Sequence, residues 1–159
     1  MKIRTGIGLD VHPFENGRDF YLGGIKIPYH KGLKGHSDAD VLIHAIIEAL
    51  LGAAGLKDIG TYFPDSDKQY LNIRSTELLK KTKELISDKN FIIGNIDVVI
   101  CLEKPKIAPY IDEMKNVLAN LLAIETADMS IKATTFEKMG FIGTEDGVMC
   151  LATCLLTSQ

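Results

Sequence analysis

A chain of 159 residues, 46% hydrophobic and 25% charged, is large enough to bury one core, and residues 1–159 read as a single globular domain. No apolar run approaches the ~20 residues that cross a bilayer, and Met1-Lys2-Ile3-Arg4-Thr5 leads straight into strand-like sequence without a signal core, so no membrane partner is expected, and either a cytoplasmic location or a mature form already trimmed. A net charge of −3 argues against a general nucleic-acid surface, for which a basic stripe is expected, so an anionic ligand has to be met by local charges or by a metal.

Residues 2–12 read as a strand that runs into the stretch GLDVHPF at 8–14. Side chains two apart on a strand share a face, so Asp10 and His12 present a carboxylate and an imidazole together, half of a metal site. YLGGIKIPY (21–29) is a short strand or hairpin arm broken by Gly23-Gly24. ADVLIHAIIEALLGAAG is a helix with Asp38 placed to cap its start, Leu42, Ile46, Ala49 and Leu50 on one stripe and Gly55 as its stop.

A second helix covers about 73–88, with Leu78, Leu79, Leu85 and Ile86 on its apolar side. FIIGNIDVVICLE then alternates with period two, which places Ile92, Ile96, Val98, Ile100 and Leu102 on one face and Asn95, Asp97 and Glu103 on the other, until Pro105 ends the strand. A third helix over about 109–123 buries Ile111, Met114, Leu118 and Leu121, and two strands, MSIKATTF and GVMCLATCLLT, close the chain. Strands and helices mix without strict βαβ alternation. The expected fold is α+β, a single-domain two-layer sandwich with helices on one face of a mixed β-sheet. Cys101, Cys150 and Cys154 lie in apolar strands without C-x-x-C spacing and read as buried thiols of a reducing compartment.

His44 interrupts the apolar run VLIHAII and completes an Asp10/His12/His44 set. Three such ligands suit a divalent ion with one position left open, zinc by residue type, although the facial triad of non-haem iron enzymes uses the same residues. Further polar groups gather where strands meet loops: His36 and Ser37 in GHSDAD, Asp58, Gly60 and Asp65 in KDIGTYFPDSD, and Lys132, Thr134, Thr135, Glu137 and Lys138 in KATTFEKMGF.

Taken in order, GLDVHPF, GGIKIPY, KGLKGHSDADVLIHAIIEALLGAAGLKDIGTYFPDSD, GNIDVVI and KATTFEKMGF closely resemble the 2-C-methyl-D-erythritol 2,4-cyclodiphosphate synthases of the non-mevalonate isoprenoid pathway. The resemblance implies a homotrimer with active sites between subunits, acting on a small nucleotide diphosphate, 4-diphosphocytidyl-2-C-methyl-D-erythritol 2-phosphate, to give the cyclodiphosphate and CMP. It implies zinc on Asp10, His12 and His44, and a second divalent cation, magnesium or manganese, on Glu137. His36 and Thr135 match residues that stabilise the transition state. Asp58 and Gly60 match those that hold ribose or erythritol, and Ser37 and Asp65 lie along the erythritol phosphate pocket. Cys101, Lys106, Ala133 and Thr134 match the neighbouring subunit's cytidine diphosphate pocket.

Attack of the 2-phosphate on the β-phosphorus joins two anions, so charge neutralisation outweighs any need for a covalent nucleophile. A metal-dependent phosphohydrolase or a non-catalytic metal-binding trimer would use the same ligands, the second only with a fourth protein ligand that no cysteine spacing supplies. The chain departs from the family pattern at Thr144, where many members carry Arg; a ring of hydroxyls followed by Glu145 and Asp146 disfavours an anionic head group, so a prenyl diphosphate is expected to bind weakly or not at all near the three-fold axis that the resemblance implies.

Overall fold

The computed structural model describes residues 1–158. Strand β1 (Ile3–Asn16) pairs along its length with the last strand, β7 (Gly147–Ser158), and at its far end with β4 (Lys31–Leu33). Strand β7 then pairs antiparallel with β5 (Phe91–Cys101), which pairs parallel with β6 (Met129–Thr134). The result is a mixed sheet in the order β4-β1-β7-β5-β6, with β2 (Phe20–Leu22) and β3 (Ile25–Ile27) as a separate hairpin. The expected hairpin break is present, since Gly23 and Gly24 both take the positive φ that glycine adopts without strain.

Helix α1 (Val41–Ala53) lies directly on β1 and β7, and α3 (Ser75–Asp88) and α4 (Ile111–Leu122) complete the layer on the same side. Its apolar surface is wider than the predicted stripe: Val41, Ile43, Ala45, Ile47 and Leu51 are buried with Leu42, Ile46, Ala49 and Leu50, as befits a helix packed on all sides. Two glycines let it approach. A Cβ at Gly6 would stand 1.9 Å from the Ala49 carbonyl oxygen and one at Gly8 2.0 Å from that of Ala45, so only bare backbone fits between β1 and α1. The opposite sheet face is uncovered, with Ile3, Ile7, Leu9 and Val11 between 43% and 68% exposed.

Local details differ from the sequence-based expectations. Helix α1 is capped by Asp40, whose carboxylate accepts from Ile43 N and also from Gly23 N and Gly24 N of the hairpin turn, and not by Asp38. Asp38 turns instead to the first turn of α3, accepting from Ser75 N. A bulge at Gly94 reverses the alternation of β5, so Ile93 is buried and Ile92 is 47% exposed, opposite to the expected parity. In α4, Leu122 is buried and Leu121 only partly. The short helices α2 (Ile59–Tyr62) and α5 (Gly140–Gly143) carry no readable periodicity and were not predicted, nor was the three-residue β4. Cys101, Cys150 and Cys154 are buried and free, as expected.

Candidate active site

Asp10 and His12 alternate onto the α1 side of β1, and the close seating of α1 brings His44 to them. His12 Nε2 lies 2.9 Å from Asp10 Oδ2, His44 Nδ1 lies 3.1 Å from the same oxygen, and the two nitrogens are 3.2 Å apart. One potential ligand atom from each residue thus lies within 4.8 Å of the others. The outward nitrogens are also occupied. His12 Nδ1 donates to the Lys34 carbonyl at 2.7 Å, which aims Nε2 at the cluster, where it donates to Asp10 when the ring is protonated and offers a lone pair to a cation when it is neutral. His44 Nε2 meets Ser75 Oγ at 2.9 Å and Ser37 Oγ at 3.2 Å. A carboxylate and two imidazole nitrogens aimed at one point fit a divalent cation, and no fourth protein ligand joins them among the described residues.

Electrostatics agree. Burial opposes ionisation of Asp10, but hydrogen bonds from His12 and His44 outweigh it and pull its pKa down to about 2. Burial likewise works against protonated His12, yet the bond to Asp10 raises its pKa above the usual histidine value. The metal-free cluster therefore balances one carboxylate against imidazole protons.

The cluster forms the floor of a cavity of about 320 Å³ that His36, Ser37, Gly60 and Asp65 also line. Arg18 braces the wall from behind, donating to the carbonyls of Gly35 at 3.2 Å and Ser37 at 3.1 Å. Asp58 is outside that lining: it precedes α2 and accepts the Thr61 hydroxyl.

A second cavity, of about 220 Å³, is lined by Lys106, Ala133, Thr134 and Thr135 together with Leu102 and Ile107. Cys101 is buried in β5 beside it and does not line it. Glu103 Oε1 accepts from Phe136 N at 3.0 Å and Lys138 N at 3.1 Å, holding the turn in which Glu137 and Lys138 take positive φ. Non-glycine residues in that region are strained and collect at ligand clamps. Thr144, at the end of α5, donates its hydroxyl to Asp146 within its own turn.

The two cavities share no lining residue. Thr134, Cys101, Met149 and Val11 form one cross-sheet row, so both cavities sit at the same end of the sheet, yet β1 and β6 are three strand spacings, roughly 14 Å, apart. The predicted site residues consequently fall into two groups, with Asp10, His12, His36, Ser37, His44, Gly60 and Asp65 in one and Lys106, Ala133, Thr134 and Thr135 in the other. Ser75 was missed, because a serine at a helix start reads as a cap and nothing in the sequence aims it at His44.

Fold and site together define a single-domain α+β protein with a candidate metal centre in a cleft. The chain belongs to the YgbB family, whose profile matches residues 3–157. It is 55% identical over 157 residues to the 2-C-methyl-D-erythritol 2,4-cyclodiphosphate synthase of Azobacteroides pseudotrichonymphae, covering 99% of this chain and 94% of that one. It is also 55% identical over 156 residues to the enzyme of that name from Bacteroides fragilis, covering 98% of each. Among solved structures, the bifunctional IspDF of Campylobacter jejuni superposes with a TM-score of 0.96 at 40% identity; the match covers 99% of this chain but spans only 43% of that one. The CDP complex of Plasmodium falciparum IspF superposes at 0.86 with 34% identity, covering 99% of this chain and 97% of that one. No helix of the described residues is long and apolar enough to cross a membrane.

Proposed function

We infer that the protein catalyses the reaction its relatives are named for, the conversion of 4-diphosphocytidyl-2-C-methyl-D-erythritol 2-phosphate to 2-C-methyl-D-erythritol 2,4-cyclodiphosphate and CMP. The observation that carries this reading is the convergent Asp10/His12/His44 cluster beside His36 and Ser37, in a chain 55% identical to synthases of that name. An oxygen of the 2-phosphate attacks the β-phosphorus, the bond from that phosphorus to the CMP oxygen breaks, and CMP departs with the electron pair. The nucleophile needs no base, because a phosphate monoester with a second pKa of about 6 is already ionised at neutral pH.

Asp10, His12 and His44 would hold zinc, and Glu137 a magnesium or manganese ion; such cations supply Lewis-acid neutralisation of the phosphate oxygens. His36 is placed to donate to phosphate and Ser37 and Asp65 to orient the erythritol phosphate in the first cavity. Asp58 and Gly60 would hold the sugar at its rim. Lys106 brings a cation, and Ala133 and Thr134 a small-residue wall, to the cavity we assign to the cytidine diphosphate, with Cys101 acting behind that wall and Thr135 stabilising charge at its mouth.

Because the two groups of residues are split between separate cavities, we assign the complete site to the junction of two subunits in a homotrimer. The uncovered apolar face of β1 supports that assembly, since monomers rarely leave such a row in water. We place the protein in the cytoplasm.

Phosphorus NMR of the product tests the reaction. With zinc and magnesium present, the diphosphocytidyl substrate should yield the coupled pair of signals of a cyclic diphosphate together with CMP. An acyclic phosphate product would replace this reading with a phosphohydrolase.

A further inference from the structure

We propose that Ser75, backed by Asp38, is a positioning residue that dictates which nitrogen of His44 faces the metal pocket. The inference rests on the reading of Asp10, His12 and His44 as metal ligands.

The argument is one of proton counting. Asp38 accepts from Arg74 Nε and Ser75 N at 3.0 Å each, and from Asp40 N at 3.2 Å. All three partners can only donate. The Asp38 carboxylate is therefore an acceptor throughout, and Ser75 Oγ, which approaches Asp38 Oδ1 at 2.5 Å, spends its single proton there. Having donated, Ser75 Oγ can meet His44 Nε2 at 2.9 Å only by accepting, and Ser37 Oγ, farther off at 3.2 Å, accepts from Ala39 N and keeps a second lone pair with which to share the same Nε2 hydrogen. So Nε2 carries a hydrogen throughout, and Nδ1, 3.1 Å from Asp10 Oδ2, is the nitrogen that donates to Asp10 when protonated and yields its lone pair to a cation. The opposite tautomer would set a nitrogen lone pair against the Ser75 oxygen lone pairs.

Burial makes the assignment strict. Ser75 is fully buried and the Asp38 side chain is 5% exposed, so water has little room to substitute for either partner. Helix capping alone does not explain the arrangement. Asp38 serves α3 through Ser75 N, whereas the contact from Ser75 Oγ to His44 adds nothing to the helix. It links the start of α3 to the ligand on α1, and the Arg74 guanidinium fixes the far end of the chain by reaching the Gly24 carbonyl at 3.0 Å. Hydrogen bonds of this kind to the outer nitrogen of a ligating histidine orient the ring and typically change metal affinity 10- to 100-fold.

Two measurements decide the matter. Zinc affinity is measured by competition with a chromophoric chelator on wild type and Ser75→Ala, and NMR of the zinc-loaded wild type with 15N-labelled histidine reports the tautomer directly, so a poorly folding variant leaves the question answerable. We expect Ser75→Ala to bind zinc roughly 10- to 100-fold more weakly, and the His44 spectrum to show a protonated Nε2 and a metal-bound Nδ1. Zinc binding within twofold of wild type, or a metal-bound Nε2, overturns the proposal. Absence of zinc binding by wild type would instead remove the metal-centre reading beneath it.

Discussion

Asp10 and His12 act on each other's protonation in opposite directions, and the metal-free protein should show both effects in its stability. The Asp10 pKa is about 2 against an ordinary 3.8, so its contribution, on the order of 2 kcal/mol, is complete above about pH 4 and is lost as pH falls toward 2. His12 is raised above 6.5, so its contribution is complete below that value and is lost as pH rises through the folded pKa. We expect the melting temperature of the chelator-treated protein to be highest between about pH 4 and 6.5 and to fall on the alkaline side. His12→Ala should abolish that alkaline fall. Thermal unfolding at a series of pH values checks it, and a wild-type profile that matches His12→Ala from pH 5 to 8 would count against the coupling. Saturating zinc should reverse the slope, because cation and protons compete for the same imidazoles.

Among the elements, the contact of β1 with α1 does most to build the candidate metal centre. Gly8 lies two residues from Asp10, and the Ala45 carbonyl it packs against follows His44, so a side chain at Gly8 separates the two halves of the ligand set. Gly8→Ala places a methyl 2.0 Å from that carbonyl oxygen, where only backbone can give way. Overpacking of this sort costs about 1–3 kcal/mol. The variant should melt several degrees lower and, while folded, bind zinc at least tenfold more weakly. Denaturant titration and chelator competition measure the two effects. Loss of stability with zinc affinity intact would mean that His44 reaches Asp10 without the close helix seating. The cap of α1 is a comparable device, since Asp40 ties the helix start to the hairpin through Gly23 N and Gly24 N, and burial with Asp38 nearby raises its pKa against those stabilising bonds.

At the scale of the whole molecule, each chain carries one cavity built around the candidate metal ligands and another around Lys106, and we assign catalysis to the meeting of one from each of two subunits. Inactive His12→Ala and Lys106→Ala subunits, unfolded and refolded together, should therefore regain a substantial fraction of activity, since mixed trimers contain some sites with two intact halves. Each variant refolded alone should stay inactive. Verified mixed trimers without activity, or an active monomer in sedimentation, would contradict the composite site.

The sequence by itself determined the type of every long element, the D-x-H pair on one strand face, the histidine set in an apolar helix and, through the order of its motifs, the family to which the chain belongs. These are local properties, written in spacings of two residues or of three and four. What lay beyond them was decided by contacts between distant segments. The sequence pattern suggested that Asp38 would cap the nearest helix, but the fold places Ser75 and Arg74 within its reach and leaves that cap to Asp40. The parity of Ile92 and Ile93 was reversed by a bulge set by pairing with β7. The tautomer of His44 follows from a serine 31 residues away, and no local rule carries that information, because hydrogen-bond donors are apportioned only after the chain has closed around them.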